Sequence, residues 1–405
     1  MRVVTEFVPG VRSVSLGLWI KAGTRDETRS QAGVTHFLEH LIFKGTDTRS
    51  ARQIAETFDS VGGELNAFSA KEYTCVYGRV IDKHVDVAVD VLSDLVLHPV
   101  FRPNDIDSER TVVLEEINMH EDAPSELVHD IFDSALFSGH PLGPRILGTA
   151  KVISELSRDE IVAYWTNGYA TPNIVVAAAG NVEHNRLVGQ IEAAFADRKG
   201  GQARRRRARP LNAKPRAVVS PKETQQAHIC YGMEGANVLD EDRFVLSVLD
   251  VVLGGGMSSR LFQKIREKRG LVYSVYSYRG QYADTGSLAV YAGTAPDKAM
   301  HVMGLVQREF DSLATRGVTN PELTRAKEQL KGNLVLGLED VTTRMNRLGR
   351  NSIYGAEILS ADELIERVEA VTKADVSRVA AALFARPRTV SVIGPFEEGD
   401  FDRFV

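Results

Sequence analysis

Cysteine is scarce in this chain. Only Cys75 and Cys230 occur in 405 residues, too few for a disulfide framework, and that scarcity points to a reducing compartment. Long apolar runs are missing as well, and nothing approaches the roughly 20 residues needed to cross a bilayer. No excess of positive charge is present: 49 basic and 54 acidic residues leave −5, which gives no reason to expect nucleic acid as a partner. The first residues are strand-like, Arg2 to Phe7 and then Val14 to Ile20, without the basic and apolar regions of a signal peptide. A cytoplasmic protein with neither a nucleic-acid nor a membrane partner is the expectation. Apolar residues at 43% and charged residues at 25% are ordinary globular values, and the length calls for two or more domains.

One seam divides the chain. Residues 199–215 hold glycine, proline and an arginine run from Arg204 to Arg207, with no apolar periodicity, which reads as a linker. A nucleic-acid or anionic-membrane patch would want aromatic residues between the arginines, and none is there, so a solvated connector is expected. Residues 1–198 and 216–405 become two domains.

The halves read as a degenerate repeat. Tyr73 to Val80 leads through Asp82 and Lys83 into the helical pattern Val85, Val89, Leu92, Leu95; Leu288 to Thr294 leads through Asp297 and Lys298 into Met300, Met303, Val306, Phe310. Each half then enters a longer helix after a proline, Pro103 up to His120 and Pro321 up to about Arg350. Short strand-to-strand links mixed with helices give an α+β fold: two similar domains, each a mostly antiparallel sheet covered by helices.

The most informative segment is His36-Phe-Leu-Glu39-His40. On a helix this spacing puts two imidazoles one turn apart on one face, with a carboxylate beside them. Phe37, Leu38, Leu41, Ile42 and Phe43 supply an apolar surround, and Gly45 with Thr46 a stop. Neutral imidazole is a good zinc ligand, and Glu39 stands where it could take a proton from water on a metal. Ordinary histidines beside an ordinary glutamate would give the same string, so a third ligand decides. In the second half the only histidines are His228 and His301, unpaired, so a metal site belongs to the first half. The helix after Pro103 offers Glu109 and Glu116, two turns apart on one face, with Glu115 rotated by one residue step. Glu116 could complete a two-histidine, one-carboxylate site that leaves a position for water, while a solvated acidic helix is the plainer reading.

With Glu109 and Glu116 behind it, the His36 to His40 string resembles the inverted zinc-binding signature of the pitrilysin/insulinase metallopeptidases. The likeness runs through nearly the whole chain: Arg25-Asp26-Glu27, Gly62-Gly63-x-Leu65-Asn66-Ala67 and the stretch from Gly254 to Leu261 are similar to segments of the small bacterial members, which in turn resemble the mitochondrial processing peptidase beta subunit. From His140 to Gly148, the order of Pro144 and Arg145 departs from the pattern.

The resemblance implies His36, His40 and Glu116 as ligands of one zinc ion per chain; were Glu116 not a ligand, Glu115 is the next candidate. It implies Glu39 as general base and Glu109 as the carboxylate that orients the site. In the second half, Arg266-Glu-Lys-Arg-Gly270-Leu-Val-Tyr273 resembles the family's pair in which the arginine binds substrate backbone and the tyrosine hydroxyl holds the oxyanion; Tyr276 and Tyr278 read as packing or cross-strand residues. The strand near Asn66 and Ala67 resembles the edge on which an extended peptide is laid. The implied protein is a zinc metalloendopeptidase acting on unfolded peptides in a chamber closed by two subunits. The partner would be an identical chain or a paralogue, with Arg266 and Tyr273 of one subunit serving the zinc of the other. The alternative is a non-catalytic structural or peptide-binding subunit of a larger assembly.

Overall fold

The computed structural model describes every residue except Lys199, Arg205 and Arg207, so those members of the basic linker lie outside the described residues. Two compact units emerge. One comprises Met1–Met119, Pro144–Arg207 and Leu336–Ile358; the other comprises His120–Gly143, Ala208–Val335 and Leu359–Val405.

In the first unit, β1 (Arg2–Phe7), β2 (Ser13–Ile20), β3 (Glu64–Ser69), β4 (Thr74–Ile81) and β5 (Ile174–Gly180) form a sheet in the order β1-β5-β2-β4-β3. In the second, β6 (Arg216–Pro221), β7 (Ala227–Gly235), β8 (Val272–Gln281), β9 (Gly286–Thr294) and β10 (Arg388–Gly394) take the equivalent order β6-β10-β7-β9-β8. Only the outermost pairs β1–β5 and β6–β10 are parallel; the other pairings are antiparallel. The degenerate repeat is therefore a repeat of topology, and the α+β class holds in both units.

Both faces of each sheet are buried, as the strands themselves require: β5 reads Ile-Val-Val-Ala-Ala-Ala-Gly and is buried throughout. On one face of the first sheet, Leu16, Leu18 and Ile20 of β2 meet a helical layer that includes Phe37, Leu38, Leu92 and Leu95. On the other, Trp19, Cys75, Val175 and Ala177 meet Met345, Leu348 and Ile353 of the helix Val341–Tyr354. The second sheet is covered in the same way by the helix Pro124–Leu136, with Val128, Phe132 and Leu136 against Cys230, Ala289 and Ile393. Each unit thus takes one helix from the opposite half of the chain. A division at 199–215 follows the strands, but not these two helices.

The long helix expected from Pro321 to about Arg350 is two helices, Asn320–Gly337 and Val341–Tyr354. Asp340 is the reason: its carboxylate accepts a hydrogen bond from the Thr343 backbone N–H at 2.8 Å and so starts a new helix. That second helix can lie close to the sheet because Gly349 has no side chain. A Cβ there would stand 2.2 Å from Trp19 Nε1. Among the described residues no helix is long and apolar enough to cross a membrane.

Two glycine-to-alanine changes should therefore act with opposite sign. In urea unfolding, Gly349→Ala is expected to lose about 1–3 kcal/mol through overpacking against Trp19. Gly304→Ala, in the helix Ala299–Arg316 with nothing within 4 Å of its added Cβ, should be neutral or gain up to about 1 kcal/mol. Equal effects at the two sites would show that the close approach is not what fixes this helix.

Candidate metal centre

The first unit gathers His36, His40 and Glu116. The two histidines lie on the helix Val34–Leu41, with ring centroids 4.7 Å apart, and Glu116 lies on the helix Pro103–Glu121. Glu116 Oε2 stands 3.5 Å from His36 Nε2 and 3.5 Å from His40 Nε2. One ligand atom from each residue falls within 4.8 Å of the others, and among the described residues no other histidine, cysteine and carboxylate group meets that condition. Glu115, the alternative ligand, is exposed and outside the cluster.

The donor set fits zinc. Ligand atoms about 2.1 Å from a tetrahedral ion stand about 3.4 Å apart, close to the 3.5 Å separations seen here. Burial, with the neighbouring His40, pushes the His36 imidazole down to about 4, so at neutral pH it carries no charge to offer Glu116. His40 Nδ1 lies 3.0 Å from Glu109 Oε1. With the proton assigned to that nitrogen, Nε2 is left bare toward Glu116. A carboxylate oxygen and a bare imidazole nitrogen facing each other suit a metal cation between them.

Glu109 is buried and acts on both sides: one oxygen meets His40 and the other pairs with Lys44 Nζ. A carboxylate behind a histidine ligand fixes the ring and raises its basicity. Arg110 ties the two helices together, stacking 5.5 Å above the Phe37 ring while donating to the carbonyl of Leu156 at 2.9 Å. Glu39 is half-buried beside the ligands. Burial raises its carboxyl above the usual carboxylate range, offset only in part by hydrogen bonding from Ser69.

Several contributors went unrecognised in the sequence. Glu27 accepts from the backbone N–H groups of Gly33 and Thr35, both at 2.8 Å, and so caps the histidine helix from outside it. Thr35 Oγ1 is 2.7 Å from the Tyr164 hydroxyl. Lys44 lies inside the motif region, but its role depends on Glu109, which no local spacing announces. Arg204 and Arg206, the described members of the arginine run, correct the expectation of a solvated connector. Arg206 binds Asp26 through both carboxylate oxygens, and Arg204 Nη1 lies 3.3 Å from Asp26 Oδ1. Burial alone would raise the Asp26 carboxyl; hydrogen bonding and charge from Arg206 more than offset it.

Asn66 and Ala67 lie on β3, the edge strand next to the histidine helix. Asn66 is exposed, and its side-chain oxygen accepts from the Ala67 N–H at 2.8 Å. In the second unit, Arg266 on the short helix Phe262–Glu267 stacks 4.8 Å above Phe262 and 5.8 Å above Tyr273. An irregularity in register between Val272 and Ser274 falls at Tyr273, which is 77% exposed. Tyr276 pairs across the sheet with Tyr291, and the Tyr278 hydroxyl is 2.8 Å from His129 Nδ1.

This two-helix centre on a repeated sheet domain is the arrangement of a metallopeptidase family, and comparison bears on which one. Residues 2–150 match the model of the insulinase family, peptidase family M16, and residues 155–330 match the model of the peptidase M16 inactive domain. An uncharacterized zinc protease of Streptomyces coelicolor is 44% identical over 412 residues, covering 100% of this chain and 89% of that protein. One from Bacillus subtilis is 41% identical, covering 98% and 96%. A solved structure of a peptidase M16 inactive domain from Pseudomonas fluorescens superposes with TM-score 0.92 at 20% identity, covering 98% of this chain and 95% of that one. A protease from Helicobacter pylori gives 0.90 at 20%, covering 97% and 96%; at such identity the likeness concerns the fold. The chain belongs to the pitrilysin/insulinase family, peptidase family M16, as a small bacterial member.

Zinc retention should follow the geometry. Under competition with a chromophoric chelator, Glu116→Gln is expected to lose zinc, Glu115→Gln to keep it, and Glu109→Gln to weaken binding about 10- to 100-fold. Retention of full affinity by Glu116→Gln would remove it from the ligand set.

Proposed function

We propose that the chain is a zinc-dependent endopeptidase that hydrolyses extended or unfolded peptides. The observation that carries this reading is the convergence of His36 Nε2, His40 Nε2 and Glu116 Oε2, with Glu39 beside them. A zinc ion held by those three atoms would polarise a peptide carbonyl and lower the pKa of water from 15.7 to roughly 7. Glu39 accepts the proton of the attacking water on its carboxylate and passes it to the leaving amine; its raised carboxyl suits a group that must both take and return a proton. Lys44 and Glu109 hold His40 in one orientation while this happens.

The substrate lies along β3. Among the described residues its outer edge has no neighbouring strand, and an extended peptide adds there by main-chain hydrogen bonds, with Asn66 releasing the Ala67 N–H as it does so. A folded substrate cannot present its backbone in that way. Arg266 binds substrate backbone and the Tyr273 hydroxyl stabilises the oxyanion; the exposure of Tyr273 favours a role toward a ligand over one in packing. These two residues serve the zinc of a second subunit, an identical chain or a paralogue, in a shared chamber. The zinc-protease names of the relatives support the reaction class, and the scarcity of cysteine fits a cytoplasmic setting.

Hydrolysis of an unstructured peptide library should fall about 10²- to 10⁴-fold in Glu39→Gln with zinc content unchanged, and about 10²-fold in Tyr273→Phe. Unchanged cleavage by zinc-loaded Glu39→Gln would favour a non-catalytic, peptide-binding subunit instead. Mixing the two variants should restore activity in heterodimers. If subunits exchange and activity stays absent, the sharing of Tyr273 between subunits is wrong.

A further inference from the structure

The two histidines are held in different ways. His40 has its Nδ1 against Glu109. His36 Nδ1 is buried and meets no hydrogen-bond acceptor or donor among the described residues. Histidines that bind metal almost always use their second nitrogen to fix the ring. His36 must be placed by its backbone and by packing alone.

The backbone just before His36 is fastened from outside the helix. Glu27 Oε2 accepts from Gly33 N–H and Glu27 Oε1 from Thr35 N–H, so one carboxylate spans the first turn. Gly33 adopts φ 97, a left-handed conformation that favours glycine, and this turns both N–H groups toward Glu27. Thr35 is fastened a second time through the Tyr164 hydroxyl, which also reaches the Gly23 carbonyl at 3.2 Å. The segment carrying Glu27 is itself tied down: Asp26 receives Arg206 Nε at 2.9 Å and the Gly23 N–H at 3.0 Å. The Arg206 guanidinium also donates to the Glu72 carbonyl. Arg206 thus anchors Asp26, and the adjoining Glu27 holds the two N–H groups that precede His36.

We infer that Glu27 is a positioning residue for His36, doing through the helix backbone what Glu109 does for His40 through the ring. The inference rests on the metal-centre reading above. Loss of Glu27 frees the first turn of an eight-residue helix, and His36 Nε2 then no longer converges on Glu116 without cost.

The test is zinc affinity of the full chain by chelator competition, with unfolding of the metal-free protein measured alongside. Glu27→Gln keeps one acceptor and Glu27→Ala keeps none, so affinity should fall in the order wild type, Glu27→Gln, Glu27→Ala, reaching tenfold or more for alanine. Ser50→Ala is the control: it removes the cap of the helix Ala51–Ser60 and should lower stability while leaving zinc affinity within about twofold. Should Glu27→Ala fail to fold, Glu27→Gln decides alone. Unchanged zinc affinity in Glu27→Gln and Glu27→Ala, with lowered stability, would make Glu27 a helix cap only and overturn the inference. His40→Gln in the same assay separates the two claims. If it kept zinc, the metal-centre reading would fail and take this inference with it; if it lost zinc while the Glu27 variants did not, only this inference would fail.

Discussion

Two imidazole Nε2 atoms and a carboxylate oxygen converge within 4.8 Å of one another, an arrangement that suits a shared cation. Burial keeps His36 neutral, and Glu109 directs the His40 proton away from the centre. Such a convergence is costly unless a cation completes it, and the protein holds the three atoms together from two helices. Arg110 against Phe37, Lys44 against Glu109 and Glu27 against Gly33 and Thr35 are each arranged around that requirement.

The sheets explain how such a centre can be built to tolerance. Each is buried on both faces, and the second face is closed by a helix that belongs in sequence to the other half of the chain. The two units share one topology but not one chemistry. The first carries the His36, His40 and Glu116 cluster beside an edge strand. The second carries Arg266 and an outward-turned Tyr273 at the start of its own edge strand. Repetition supplied a second scaffold, whose side chains differ from those of the first.

What the sequence revealed, and what it hid, divides along the range of the interactions. The histidine helix, the strands from Ser13 to Ile20 and Thr74 to Ile81, and the paired placement of Glu109 and Glu116 are local patterns with periods of 3.6 or 2, and all are present. The helix expected after Pro321 breaks in two because Asp340, an ordinary residue in an amphipathic run, acts as a cap through its side-chain bond to Thr343. The exchange of the helices Pro124–Leu136 and Val341–Tyr354 depends on which sheet face lacks cover, which no window of sequence contains. Arg204 and Arg206 follow the same rule: charge alone suggests solvent, whereas Asp26, far away in the chain, needs partners for a buried carboxylate. Glu27 was visible as part of a family-like segment, yet its target is two backbone N–H groups, which carry no residue signature.

The most direct measurement of the central claim is X-ray absorption at the zinc edge on the purified protein. One zinc per chain is expected, with nitrogen and oxygen neighbours at about 2.0–2.2 Å and the outer-shell scattering of two imidazoles. A sulfur neighbour at about 2.3 Å, or an outer shell without imidazole scattering, would contradict that ligand set.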